Sequence, residues 1–88
     1  MFRLWGKIFK DNRMLRDAVI ENGDYSMSRT AMVLDAVDRL CYEFDLGHPL
    51  WLDKTVEEFK RHDKARFTQD NFIEGIEFDY LEIQVLEE

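Results

Sequence analysis

Between residues 2 and 20 the apolar side chains keep a period of two in two runs, Phe2, Leu4 and Ile8, then Leu15 and Val19, with Asp11-Asn12 between them. Alternation of this kind marks a strand with one buried face, so the segment reads as a β-hairpin. With Asp11-Asn12 as the loop, Ile8 opposes Leu15, Leu4 opposes Val19 and Gly6 opposes Asp17. The other face then carries Trp5 opposite Ala18 and Phe9 opposite Met14. Lys7 falls opposite Arg16, and like charges in register are mildly unfavourable. Asp-Asn is a weaker turn signal than Asn-Gly, which leaves a loop of three to five residues as the alternative. Glu21-Asn22-Gly23-Asp24 breaks the alternation and reads as a loop.

From residue 28 the period changes. Val33, Val37, Leu40 and Phe44 recur at helical spacing, widened by Leu34, Ala36 and Cys41, which predicts a helix over 28–46. Ser28 stands at its N-cap, Asp35 and Arg39 can pair one turn apart, Gly47 supplies a left-handed C-terminal position and Pro49 blocks continuation. A shorter helix is predicted over 54–62, with Thr55 and Glu58 at capping-box spacing, Asp53 as the rival cap and basic residues in the last turn. A further helical turn is expected near Thr68-Gln69-Asp70, carrying Phe72, Ile73 and Ile76. Segment 77–86 alternates again, with Leu81, Ile83 and Val85 on one face and Phe78, Tyr80, Glu82 and Gln84 on the other. The order β-β-α-α-β predicts an α+β domain, a three-stranded antiparallel sheet with helices packed on one face.

Composition narrows this picture. A chain of 88 residues, 45% of them apolar, folds as one domain spanning 1–88, and no repeat or Pro/Gly/Ser linker divides it. No apolar run approaches a membrane span, and the charged start Met1-Phe-Arg-Leu-Trp-Gly-Lys lacks a signal-peptide core. The single cysteine rules out an intramolecular disulfide and points to a reducing compartment, the cytoplasm. The net charge of −7 argues against general nucleic-acid binding, because phosphate contacts need a positive face. That charge is unevenly spread. Residues 60–67 hold four basic groups and one acidic, between a segment 31–59 with two against seven and a segment 68–88 with none against seven.

Candidate chemistry is sparse. Cys41, His48 and His62 are too few and too far apart for a structural zinc site, and no metal or other cofactor is expected. Cys41 lies on the apolar stripe of the long helix and reads as a core residue rather than a nucleophile. The glycines at 6, 23, 47 and 75 form no phosphate-binding loop, and no Gly-x-Ser-x-Gly elbow exists. Asp79 and Glu82 faintly resemble the carboxylates of metal-dependent nucleases, but Gln84 replaces the expected lysine and the two acids point to opposite faces of a strand.

Two features could meet a partner. Lys60, Arg61, Lys64 and Arg66, with Phe67 to stack on a base, could bind an anion or a single strand; the competing account is that they end a helix and neutralise the acidic segments beside them. The second feature is the hairpin, apolar on both faces. One helical layer covers one side of the sheet, which leaves Trp5, Phe9, Met14 and Ala18 as a candidate interface unless segment 63–76 folds across them.

Arg3-Leu-Trp-Gly-Lys-Ile-Phe-Lys-Asp-Asn-Arg13, Trp51-Leu-Asp-Lys-Thr-Val-Glu-Glu-Phe-Lys-Arg-His62 and Phe78-Asp-Tyr-Leu-Glu-Ile-Gln84 resemble a group of small uncharacterised bacterial proteins of about this length. The resemblance covers nearly the whole chain and implies a complete bacterial cytoplasmic protein; it carries over no activity, ligand or site residue. The functional expectation is a non-enzymatic module that forms a homodimer or docks on another protein. The alternative is a nucleic-acid- or phosphate-binding regulator using residues 60–67.

Overall fold

The computed structural model describes all residues, Met1–Glu88. The chain runs β1 (Phe2–Lys10), β2 (Arg13–Asn22), α1 (Arg29–Glu43), α2 (Asp53–His62), β3 (Lys64–Phe67), a 3-10 turn (Gln69–Asn71) and β4 (Tyr80–Glu87). The architecture is α+β as expected, but the antiparallel sheet has four strands in the order β2-β1-β4-β3. The extra strand comes from the basic island. Asp63 takes a left-handed conformation (φ 54°) that stops α2 and reverses the chain, and Ala65 and Phe67 then turn alternately into the core. Four residues with two apolar positions are too few to show a period in the sequence.

The hairpin has the two-residue loop. Asp11 and Asn12 both have positive φ (52° and 64°), as the primed turn requires, and Asp79 Oδ2 accepts from the Asp11 N–H at 2.9 Å. Phe9 opposes Met14 as anticipated, but a β-bulge between Ile8 and Phe9 inserts Leu15 as an unpaired residue. Every later pair shifts by one: Ile8 meets Arg16, Lys7 meets Asp17, Gly6 meets Ala18, Trp5 meets Val19 and Leu4 meets Ile20. One extra residue exchanges the two faces of a strand. Ala18 therefore lies on the core side rather than beside Trp5, and the like-charge pair of Lys7 with Arg16 becomes an opposite-charge pair with Asp17.

Helix α1 starts where expected, Ser28 Oγ accepting from the Ala31 N–H at 3.1 Å, and Arg39 pairs with Asp35 at 3.0 Å. Its end differs. The left-handed residue is Asp45 (φ 58°), not Gly47, and the Leu46 and Asp45 N–H groups close on the carbonyls of Cys41 (2.7 Å) and Tyr42 (3.2 Å) in a Schellman pattern. Helix α2 begins at Asp53 after Leu52, without a side-chain cap. Thr55 is buried instead and accepts from Asn71 Nδ2 at 2.9 Å. The same amide nitrogen donates to the Leu50 carbonyl at 2.8 Å, so Asn71 ties the β3–β4 loop to the segment leading into α2. The expected helical turn near residue 68 is the short 3-10 turn, capped by Thr68; Phe72 is buried after it while Ile73 stays exposed.

Both helices lie on one side of the sheet. Phe2, Leu4 and Ile8 of β1, Ala65 and Phe67 of β3 and Leu81 and Ile83 of β4 form one core with Val33, Val37, Leu40 and Cys41 of α1 and Phe59 of α2. Gly6 brings the sheet against α1: a Cβ at this position would stand 2.6 Å from Leu40 Cδ1 and 2.7 Å from Cδ2. Trp51 packs edge-on against Phe59 and Phe67, with ring centroids 5.8 and 5.0 Å apart, and closes the core beside α2.

Candidate functional site

The side of the sheet away from the helices has no layer over it. Its residues follow from the strand register, because directly opposed residues in antiparallel strands point to the same face. One row crosses all four strands as Asp17, Lys7, Glu82 and Arg66. The row beside it reads Val19, Trp5, Gln84 and Lys64, and the row on the other side Met14, Phe9 and Tyr80. Charges of alternating sign thus form a stripe flanked by apolar and aromatic side chains.

The stripe is internally satisfied. Lys7 Nζ lies 3.1 Å from Glu82 Oε1 and donates to Gln84 Oε1 at 3.2 Å, and Arg66 Nε donates to Glu82 Oε2 at 3.0 Å. Lys7 also lies 4.0 Å from the Trp5 ring centroid and Arg66 lies 4.5 Å from that of Tyr80, both cation–π distances. Trp5 Nε1 donates to Asp17 Oδ2 at 2.9 Å, and Phe9 stacks on Tyr80 with centroids 5.2 Å apart. Burial pushes the Glu82 carboxyl up, but hydrogen bonds from Arg66 and Lys7 and the charges of Lys7 and Lys64 outweigh it, so its pKa falls below the ordinary carboxylate value. Met14 and Val19 remain about half exposed at the rim.

The structure brings together Trp5, Phe9 and Met14 of the expected interface, without Ala18. Segment 63–76 does not cross them: it forms β3 and a loop whose Phe72 joins the core. Val19, Tyr80, Lys7 and Glu82 were missed as members of this face. Tyr80 and Glu82 had been placed on the non-core side of the last strand, and the pairing of β1 with β4 that joins them to Phe9 and Lys7 leaves no local signal in the sequence.

The basic island does not form one patch. Lys60 and Arg61 end α2, while Lys64 and Arg66 point from β3 onto the open face. Phe67 is fully buried against Trp51 and offers no ring to a base, a correction to the stacking role expected of it. A depression of about 180 Å³ lined by Lys64, Arg66 and His62 also holds Glu58 and Glu82, so its positive charge is countered in place. Glu58 Oε1 accepts from the Arg66 N–H at 2.7 Å and occupies a donor on the outer edge of β3.

Cys41 is buried, and burial, with a smaller contribution from Asp38, pushes its thiol up to about 11. A neutral buried thiol is a poor nucleophile. Cys41 is therefore expected to react with a thiol reagent at least about a hundredfold more slowly in the native protein than in denaturant; comparable rates contradict this reading. His48 Nδ1 sits 2.9 Å from Asp38 Oδ1 at the surface, and no three His, Cys, Asp or Glu side chains gather where a metal could be held. No helix is long and apolar enough to cross a membrane. Comparison with protein-family models, curated proteins and solved structures finds no match.

Proposed function

We propose that this protein is a non-enzymatic interaction module that docks on a protein partner, its own copy or another chain, through the open face of its sheet. One observation carries the reading: the face opposite the helices presents Trp5, Phe9, Met14, Val19 and Tyr80 around a stripe of charges that already neutralise one another. Half-buried aromatic rings beside the exposed Met14 and Val19 are the kind of surface that protein interfaces bury, and a neutralised stripe favours a protein surface over a polyanion. The phosphate-binding reading of residues 60–67 has less support, because Phe67 is buried and Lys60 and Arg61 on α2 lie apart from Lys64 and Arg66 on β3. The cytoplasm is the setting proposed for it, from its single cysteine.

The test is affinity capture from native lysate with an untagged copy of the chain co-expressed, read by mass spectrometry. Met14→Glu with Val19→Glu places two charges on the rim of the face, at side chains 49% and 45% exposed, where the fold tolerates them. Tyr42→Glu, on a helical residue 89% exposed, is the control. Polypeptides retained by the wild type and the control are expected to fall at least about tenfold with the double variant. An unchanged set, or none retained, contradicts the proposal.

A further inference from the structure

We infer that the occupant of the open face is a second copy of this chain, related by a two-fold axis that runs parallel to the strands between β1 and β4. The inference rests on reading the open face as a docking surface and adds the identity and register of the partner. It comes from the order of signs along the central row, Asp17 on β2, Lys7 on β1, Glu82 on β4 and Arg66 on β3. Rotation about an axis along the strands lays β2 over the partner's β3 and β1 over the partner's β4. Asp17 then faces the partner's Arg66, and the contact occurs twice, while Lys7 and Glu82 stay paired with each other beneath the surface. Rotation about the perpendicular in-plane axis lays each strand over itself and sets Asp17 against the partner's Asp17 and Arg66 against the partner's Arg66, which like-charge repulsion opposes. The row is thus self-complementary in one orientation and self-repelling in the other.

The flanking rows agree with this choice. The same axis lays Phe9 over the partner's Tyr80 and Trp5 over the partner's Gln84, giving an aromatic contact on one side of the stripe and an amphipathic one on the other. Stacked sheets cross at about 30° and lie about 10 Å apart, so the central strands keep their rows in register. Strands of ten, nine, eight and four residues side by side span roughly 500 Å², below the roughly 800 Å² per partner of a standard stable interface. The dimer is accordingly a reversible one that forms in the micromolar range.

Sedimentation equilibrium of the purified protein between about 1 and 300 µM tests this. The wild-type mass is expected to rise from 10.6 kDa towards twice that value. Asp17→Lys alone and Arg66→Glu alone each set like charges across the interface twice, and each is expected to raise the dissociation constant at least about tenfold. Mixing the two variants one to one restores opposite charges at every contact, and a mixed dimer of wild-type affinity is expected. A wild-type mass that stays at 10.6 kDa across the range overturns the inference while leaving the docking proposal to the capture experiment. A dimer that neither variant weakens, or a mixture that stays monomeric, overturns the register. If a charge variant fails to fold, Val19→Cys chains mixed with Lys64→Cys chains read the same register through a short bismaleimide. A cross-linked mixed dimer supports it, and cross-linked like pairs alone overturn it.

Discussion

Glu82→Leu is expected to destabilise the protein by about 3 kcal/mol, read as a fall in the urea midpoint. The side chains of Lys7 and Glu82 are 10% and 8% exposed and 3.1 Å apart. Removing the carboxylate leaves the ammonium of Lys7 buried without its counter-charge, and it is the orphaned charge that costs most when such a pair is broken. Arg66, half exposed, turns to solvent and adds little. Lys7→Met combined with Glu82→Leu is expected to recover most of the loss, because no charge is then stranded. The same carboxylate sets a pH dependence. Its pKa is lower in the folded protein than in the unfolded chain, so its contribution is complete above the ordinary value of 4.5 and is lost as the pH falls through the folded value. The double variant therefore loses less stability than the wild type on acidification below about 4.5. A Glu82→Leu protein as stable as the wild type contradicts this account.

Gly6→Ala is expected to cost about 1–3 kcal/mol. In an ordinary strand the exchange favours alanine, since glycine loses more backbone freedom on folding. Here the added methyl meets both Leu40 methyls inside 3 Å, and Leu40 is fully buried in the core. Leu40→Ala alone is expected to cost about 2–5 kcal/mol as a cavity. The two together cost less than their sum, because the new methyl occupies space that Leu40 vacates. Additive losses in thermal or chemical denaturation contradict the close approach of β1 to α1.

Much of the fold was legible because its signals are local. Ser28 caps α1, the spacing of Val33, Val37 and Leu40 sets its buried stripe, and Asp11-Asn12 turns the hairpin. The bulge at Leu15 was not legible. Leu15 and Val19 are both apolar and both about half exposed, so the alternation they display in the sequence is not the alternation the sheet uses. Ala18 and Ile20, on the opposite phase, face the core instead. Strand β3 was hidden by its length and by the charges of Lys64 and Arg66, which belong to its outer face. The structural role of Asn71 left no trace either, because a buried amide bonded to Thr55 and the Leu50 carbonyl depends on contacts across the chain. For the candidate site, Trp5, Phe9 and Met14 were legible as surplus apolar residues. The charged row was not, since it exists only once four strands are in register.

The central claim, that the uncovered sheet face docks a second copy of this chain, is tested most directly by oxidative footprinting of purified wild-type protein across a dilution series. Met14, 49% exposed on that face, is read against Tyr42, 89% exposed on the helical side. The ratio of Met14 to Tyr42 oxidation is expected to fall at least about threefold from dilute to concentrated protein as the face is covered, and to stay high in the Asp17→Lys variant. A ratio that is flat with concentration and equal in the two proteins contradicts the claim.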